Sequence, residues 1–98
     1  MAGMYEVGSH KTSVFTEGGW TKVVYHNTVV VKFNRDKIVL DSGKWFTMTT
    51  KTRMNQASNQ YGLGFYVYQK DFEWFVDYKG KTYEFSDGMV LKRWNKWE

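Results

Sequence analysis

The stretch Thr28–Phe33 (TVVVKF) specifies the fold class of this chain more clearly than any other segment. Apart from one lysine its residues are β-branched or aromatic, and they alternate, so that Val29, Val31 and Phe33 face one side and the residues between them face the other. This pattern is typical of a β-strand within a sheet.

Similar short strands are predicted on both sides of this segment, with turns made by Gly, Asn and Asp because the chain has no proline. The predicted strands are Trp20–Tyr25, Thr28–Phe33, Lys37–Asp41, Gly64–Gln69, Glu73–Tyr78, Lys81–Phe85 and Met89–Trp94. Short turns at Lys70-Asp71 and Lys79-Gly80 join the three strands of residues 64–85, which predicts an antiparallel meander.

One segment, Thr49–Tyr61 (TTKTRMNQASNQY), lacks strand alternation. Four of its residues fall on one stripe of a helix: Thr50, Met54, Ala57 and Tyr61. Thr49 is predicted to cap the start of this helix and Gly62 to end it. The fold class is therefore expected to be α+β, a mostly antiparallel β-sheet of about six to seven short strands with one short helix near residues 49–61.

Length and composition indicate a single small domain. The chain has 98 residues, room for one core, and 19% of them are aromatic. Residues 1–12 are polar and without period, so we predict a loose N-terminal arm followed by one domain over residues 13–98. Some rings must lie at the surface, where rings commonly mark binding faces or subunit contacts, and a homo-oligomer is expected.

Catalysis, metal binding and membrane insertion are not expected. The chain has no cysteine, and its two histidines, His10 and His26, stand apart from any carboxylates at metal-binding spacing. No nucleophile motif or glycine-rich phosphate loop is found, so the sequence predicts no catalytic residues and no cofactor. No apolar run approaches the roughly 20 residues of a membrane span, which favours a soluble, cytoplasmic protein.

Positive charge is concentrated in one part of the chain. From Ser42 to Lys70 there is no Asp or Glu, and this part carries Lys44, Lys51, Arg53 and Lys70 itself. The net charge of the whole chain is +4, so the remainder sums to zero. Because a local field of one sign attracts partners of the opposite sign, an anionic ligand is predicted.

A binding site for a phosphate-bearing ligand is predicted around the start of the helix, since a helix N-terminus carries about half a positive charge. The candidate ligand-binding residues are Lys44, Trp45, Thr49, Thr50, Lys51, Thr52, Arg53, Tyr66 and Tyr68. The three cations would neutralise phosphates, the threonine hydroxyls and main-chain amides would hold oxygens, and a ring would stack on a base. The alternative is a basic helix start that is only solvated.

Aromatic residues of the later strands offer a second surface. Along Gly64–Gln69, the side chains of Tyr66 and Tyr68 point to one face of the strand, and those of the residues next to them point to the other. With Phe75 they would form a stacking platform like those that bind RNA or single-stranded DNA. Alternatively, both faces of this sheet are covered, one by the helix and the other by a second subunit.

Two further features are each compatible with two roles. The outer helix face is rich in amides, which suits either an interface or plain exposure to solvent; it comprises Thr52, Asn55, Gln56, Asn59 and Gln60. The tail Lys92–Glu98 interleaves cations with tryptophans, and it would either clamp a nucleic acid or pack its rings on a neighbour.

The segments TVVVKF (28–33), LDSGKW (40–45) and TTKTRMNQ (49–56) resemble a small family of uncharacterised bacteriophage-encoded proteins. The resemblance continues through YGLGF (61–65) and WFVD (74–77) to about residue 91. It implies a phage origin and location in the host bacterial cytoplasm, and it brings no catalytic residues with it.

Small phage accessory proteins commonly act by binding, so the resemblance favours a non-enzymatic function. The expected ligand is a host signalling nucleotide, sequestered as an anti-defence measure, or RNA or single-stranded DNA. The alternative is a protein–protein inhibitor of a host defence or transcription protein.

Overall fold

The structure is a computed structural model, and it describes residues 12–93. Its elements are β1 Thr12–Glu17, β2 Trp20–Tyr25, β3 Thr28–Phe33, β4 Lys37–Leu40, α1 Met48–Tyr61, β5 Phe65–Lys70, β6 Glu73–Tyr78, β7 Lys81–Glu84 and β8 Met89–Lys92. The predicted α+β class is confirmed. The strand β1 was not predicted, and the expected arm (residues 1–12) and the end of the tail (residues 94–98) lie almost wholly outside the described residues.

The strands form two antiparallel sheets. The larger has the order β1-β2-β3-β4-β8, and the smaller has the order β5-β6-β7. The smaller sheet is the predicted meander. The helix α1 lies between β4 and β5 in sequence and contacts β2, β3 and β5. One cluster of buried apolar side chains includes members of both sheets and of the helix.

A β-bulge modifies the alternation expected in Thr28–Phe33. Val23 pairs with Val31 while Val24 pairs with Val29, so Val30 is an extra residue in β3. Because the extra residue interrupts the alternation of side chains along the strand, Val30 and Val31 are both fully buried. Strict alternation would have turned Val30 away from the side that carries Val31.

The N-cap of the helix lies two residues before the predicted one. Thr47 is the N-cap: its backbone is extended and its Oγ1 accepts a hydrogen bond from the Thr50 amide at 3.2 Å. Thr49, the predicted cap, lies inside the first turn and is exposed. The predicted end is confirmed, because Gly62 adopts the left-handed conformation with φ of 64°.

Side chains of α1 bond to the outer edge of β5. Asn55 Nδ2 donates to the Val67 carbonyl at 2.9 Å, and its Oδ1 accepts from the Val67 amide at 2.8 Å. Ser58 Oγ makes the same pair of contacts with the main chain of Phe65, at 2.7 and 3.0 Å. The helix therefore satisfies main-chain groups that would be unpaired at a sheet edge. Asn55, predicted to lie on a free amide face, is committed to this contact.

Tyr78 connects the two sheets at their other end. Its hydroxyl donates to the carbonyl of Lys92 at 3.0 Å, and the neighbouring Lys79 ammonium donates to the carbonyl of Arg93 at 2.7 Å. Burial raises the pKa of Tyr78 above its ordinary value of 10.0, although the nearby positive charge of Arg93 opposes this shift.

Candidate functional site

Phe72 occupies a backbone position that large residues rarely adopt. In the described part of the chain, four two-residue hairpin loops have positive φ at both positions: Gly18-Gly19, His26-Asn27, Asp71-Phe72 and Lys79-Gly80. This geometry favours Gly, Asn or Asp, because a Cβ crowds the backbone at positive φ. The second positions of the other three loops are Gly or Asn, whereas Phe72 has a φ of 68°. Its side chain is nevertheless 95% exposed, so the ring gains almost no burial in return.

The Phe72 ring lies beside a groove with an aromatic floor. The groove has a volume of about 380 Å³, and its aromatic lining is Phe46, Phe72, Trp74 and Phe85. Trp74 is edge-on to both Phe46 and Phe85, with ring centroids 5.0 and 5.3 Å apart. Phe46 remains 55% exposed even though it is part of this cluster. We call this concavity the aromatic groove.

The charged residues that line the aromatic groove are both acidic, Glu73 and Glu84. Glu73 lies at the start of β6, directly after Phe72, and Glu84 is the last residue of β7. A groove with an aromatic floor and a carboxylate rim is poorly suited to phosphate, which the carboxylates repel.

A second, smaller groove adjoins it between α1 and β5. Its volume is about 240 Å³, and its lining comprises Met48, Lys51, Thr52, Asn55, Tyr66, Val67, Tyr68 and Gln69. Lys51 lies between the two grooves: its ammonium donates to Gln69 Oε1 at 3.1 Å and sits 5.2 Å from the centre of the Trp74 ring. Tyr66 and Tyr68 are stacked on each other with centroids 5.9 Å apart. We call this concavity the lysine groove.

The lysine groove brings together four of the predicted ligand-binding residues, Lys51, Thr52, Tyr66 and Tyr68. Met48 at its margin is 77% exposed and Tyr66 is 58% exposed. No carboxylate among residues 12–93 forms an ion pair with the Lys51 ammonium. This groove can therefore offer one cation, the Thr52 hydroxyl and a pair of tyrosine rings to a ligand.

The other predicted cations do not join Lys51. Arg53 is two residues further along α1, a rotation of about 200°. Its guanidinium accordingly lies on the other side, 5.8 Å from the centre of the Tyr25 ring. Trp45 stacks on His26 at 5.6 Å, and His26 in turn contacts Tyr25. Arg53 therefore does not line the lysine groove with Lys51.

Two of the main-chain amides that were predicted to contribute to that site have partners at the start of the helix. The Thr50 amide donates to the Thr47 hydroxyl and the Lys51 amide donates to the Thr47 carbonyl, so neither is available to a ligand. Thr50 is fully buried, with its own hydroxyl 3.1 Å from that of Thr47. Thr49 is exposed and lines neither groove, and Lys44 lies in the exposed loop before the helix.

The outer face of the small sheet has the rings that were predicted, together with an unexpected charge. Phe75 lies 5.8 Å from Tyr68 and extends the stacked pair across the strands. The same face carries three carboxylates against one lysine: Glu73, Asp77 and Glu84 against Lys70. Asp77 accepts hydrogen bonds from the hydroxyls of Tyr68 and Thr82. These acidic surroundings disfavour binding of a nucleic-acid backbone, whose phosphates are negatively charged.

Sequence reasoning missed the aromatic groove because its lining comes from the loop before α1, the Asp71-Phe72 turn, three strands and the residue after β7. One signal was available, since Phe72 stands after Asp71 where a hairpin of this length calls for glycine or asparagine. Within residues 12–93 no group of three His, Asp or Glu side chains is placed to hold a metal ion. No helix in the same range is long and apolar enough to cross a membrane.

These features define a small α+β protein with two antiparallel sheets and an exposed aromatic surface formed by two adjoining grooves. A family model described as "Kyanoviridae Gp96 protein" matches residues 2–92, and the chain belongs to this family of phage-encoded proteins. A comparison with curated proteins and one with solved structures both found no match.

Proposed function

We propose that this phage protein acts without catalysis, by binding a protein of the host bacterium in its cytoplasm through the aromatic groove and Phe72. The observation that carries the proposal is the conformation of Phe72: a ring is retained, almost fully exposed, at a positive φ of 68°. Backbone strain at a surface position points to a role in function, because it stabilises nothing in the isolated molecule.

The surroundings of Phe72 have the composition of a protein interface. Aromatic residues and methionine are enriched at such interfaces, and contiguous exposed apolar surface marks them. Phe46, Met48, Tyr66 and Phe72 are all more than half exposed along the two adjoining grooves. A host defence or transcription protein blocked by this surface is the expected target class.

A second candidate is a phosphate-bearing ligand in the lysine groove. It is favoured by the Lys51 ammonium, which has no carboxylate partner within residues 12–93, beside the Thr52 hydroxyl and the stacked Tyr66–Tyr68 pair. The first turn of α1 also contains no acidic residue. The small groove and the acidic sheet face favour a nucleotide over RNA or single-stranded DNA, so this candidate corresponds to sequestration of a host signalling nucleotide.

The experiment for the main proposal uses a photo-crosslinking amino acid at position 72 during infection, followed by binding measurements with the purified partner. Phe72→Ala should weaken that binding by at least about 30-fold, as expected for an aromatic anchor. Phe15→Ala is the matched control, because Phe15 is a half-exposed phenylalanine on the other sheet. Equal affinity of the Phe72→Ala variant and the parent would contradict the proposal.

A thermal-shift screen against nucleotides, cyclic dinucleotides and short oligonucleotides tests the second candidate, since a ligand of the folded state raises Tm. Lys51→Glu should abolish any such shift, whereas Lys44→Glu, the same charge change outside the groove, should leave it intact. A shift that requires Lys51 and is indifferent to Phe72 would favour the nucleotide over the protein partner.

A further inference from the structure

The larger sheet carries lysines from four of its strands on one face. Lys22 lies directly opposite Lys32 across β2 and β3, and Lys37 lies directly opposite Lys92 across β4 and β8. Residues that pair across strands share a face, and Lys32 pairs with Val39, which is two residues from Lys37 on the same strand. All four lysines therefore lie on the same side of the sheet, which we call the basic face.

The basic face is the outer side of this sheet. Ile38 and Leu91, the strand neighbours of Lys37 and Lys92, are buried and belong to the core that the helix and the small sheet also share. Because successive side chains of a strand point to opposite faces, the lysines point away from that core. Val90, which lies on the basic face beside them, is 51% exposed.

Most of the positive charge on the basic face is uncompensated. One carboxylate of these strands, Glu17, forms an ion pair with Lys22 at 2.9 Å. The ammonium groups of Lys32, Lys37 and Lys92 form no ion pair with any carboxylate of residues 12–93. Like charges directly opposite one another destabilise a sheet, as Lys37 and Lys92 do here. A bound anion would remove this repulsion.

The outer faces of the two sheets differ in the sign of their charge. The small sheet presents three carboxylates against one lysine, as described above, whereas the basic face has four lysines against one carboxylate. The turn between β3 and β4 adds one residue of each sign, Arg35 and Asp36, and leaves the balance unchanged. An extended anion is therefore attracted to the basic face and repelled by the small sheet.

A tryptophan lies among these lysines. Trp20 is two residues before Lys22 on β2, so it shares the basic face, and its ring centre lies 4.9 Å from the Lys32 ammonium. The side chain of Trp20 is only partly buried. A ring that can stack on a base, next to a cation that can contact its phosphate, is the combination with which other sheet proteins bind single strands.

We propose that the basic face binds a single-stranded nucleic acid, with Lys32, Lys37 and Lys92 on its phosphates and Trp20 stacked on a base. Charge complementarity favours a polyanion, and the tryptophan favours a nucleic acid over an acidic protein or an anionic membrane, which offer no base to stack. The three lysines come from adjacent strands spanning about 10 Å, which is room for about three phosphates of one strand. This surface is separate from both grooves, so the inference goes beyond the proposed function.

Fluorescence anisotropy with labelled oligouridylate of about 15 nucleotides tests the proposal, at salt concentrations from about 50 to 200 mM. Three phosphate contacts predict that the logarithm of the binding constant falls against the logarithm of salt concentration with a slope of about −2. Lys32→Gln combined with Lys37→Gln should bring the slope to about −0.7 and weaken binding at low salt about 10-fold or more. The matched control is Lys70→Gln combined with Lys81→Gln, the same change of charge on the small sheet, which should keep the slope of the parent.

Stability separates a binding role of the lysines from a structural one. Loss of the charge at Lys37 relieves its repulsion with Lys92, so the Lys32→Gln and Lys37→Gln double variant should unfold in urea at no lower a midpoint than the parent. Trp20→Ala should weaken oligouridylate binding about five-fold or more, and Trp20→Phe should retain most of the affinity, because stacking requires a ring.

The outcomes also distinguish this surface from other occupants and sites. Binding of the oligonucleotide to the basic face should survive Lys51→Glu, unlike that of a nucleotide held in the lysine groove. Polyglutamate or phosphatidylserine vesicles that compete as well as unlabelled oligouridylate of equal charge would assign the face to an acidic protein or a membrane and overturn the proposal. No binding at protein concentrations up to about 100 µM would overturn it as well. So would an unchanged salt slope in the lysine double variant, or parent affinity in Trp20→Ala.

Discussion

Replacing Phe72 with glycine should stabilise the protein and at the same time weaken its binding to a protein partner. Relief of the positive φ at one residue contributes about 1–2 kcal/mol, and the greater freedom of glycine in the unfolded chain offsets about 0.5–1 kcal/mol of this. The ring is 95% exposed, so its removal costs almost no burial. The expected net gain in the free energy of unfolding is about 0.5–1 kcal/mol.

Two further substitutions at the same position separate the causes. Phe72→Asn should gain about 1 kcal/mol, since asparagine tolerates positive φ without the flexibility of glycine, and Asn27 has a φ of 66° in another hairpin loop. Phe72→Ala removes the ring and keeps a Cβ, so its stability should match that of the parent within about 0.5 kcal/mol.

Urea unfolding followed by circular dichroism measures these differences, and a thermal melt should show the glycine variant about 3–6 °C higher in Tm. A glycine variant that is less stable than the parent would refute the reasoning, because it would show that the ring packs against the fold or that the loop is not strained. A glycine variant that is more stable but binds the crosslinked partner with full affinity would support the backbone strain at position 72. It would also show that Phe72 does not contribute to the interface.

Three other substitutions test the packing of the helix and the junction of the sheets. Asn55→Ala should cost about 2–4 kcal/mol in urea unfolding, because it leaves an amide and a carbonyl at the β5 edge unsatisfied, whereas Asn59→Ala, at an exposed site of the same helix, should change stability by less than about 0.5 kcal/mol. Thr47→Ala should cost about 1 kcal/mol through loss of the N-cap, and Thr49→Ala should cost clearly less. Because the pKa of the Tyr78 hydroxyl is raised in the folded state, its contribution to the free energy of unfolding is fully present below pH 10.0, the ordinary pKa, and is lost as pH rises through the folded-state pKa. Urea midpoints measured on both sides of pH 10.0 should therefore fall with pH in the parent and fall less in Tyr78→Phe.

The sequence predicted the elements of the fold better than their edges. Of the predicted stripe, Thr50, Met54 and Ala57 are buried and Tyr61 is partly buried against the core, because helical spacing alone puts these residues on one face. The N-cap was misplaced because Thr47, Thr49 and Thr50 all carry a suitable hydroxyl, and which one caps depends on where the preceding loop turns. The strand β1 was missed because its residues face solvent and show no apolar alternation.

The candidate site was predicted in fragments. Lys51, Thr52, Tyr66 and Tyr68 were named and do meet, but the cation expected to join them, Arg53, lies beside Tyr25 on the opposite side of the helix. Helical geometry could have excluded that grouping, since residues two apart on a helix do not face each other. The neighbours of Lys51 on β5 and β6 could not be predicted, because they depend on how the helix lies across the sheet.

The sequence by itself determined the strands β2 to β8, the meander of β5 to β7 and the end of the helix at Gly62, because each depends on backbone preference and on near neighbours in the chain. Only the tertiary structure decided that Phe46, Trp74 and Phe85 form one aromatic groove and that α1 covers the edge of β5. Those contacts join residues far apart in the chain, and their geometry is set by the packing of two sheets and a helix around a shared core rather than by any local pattern.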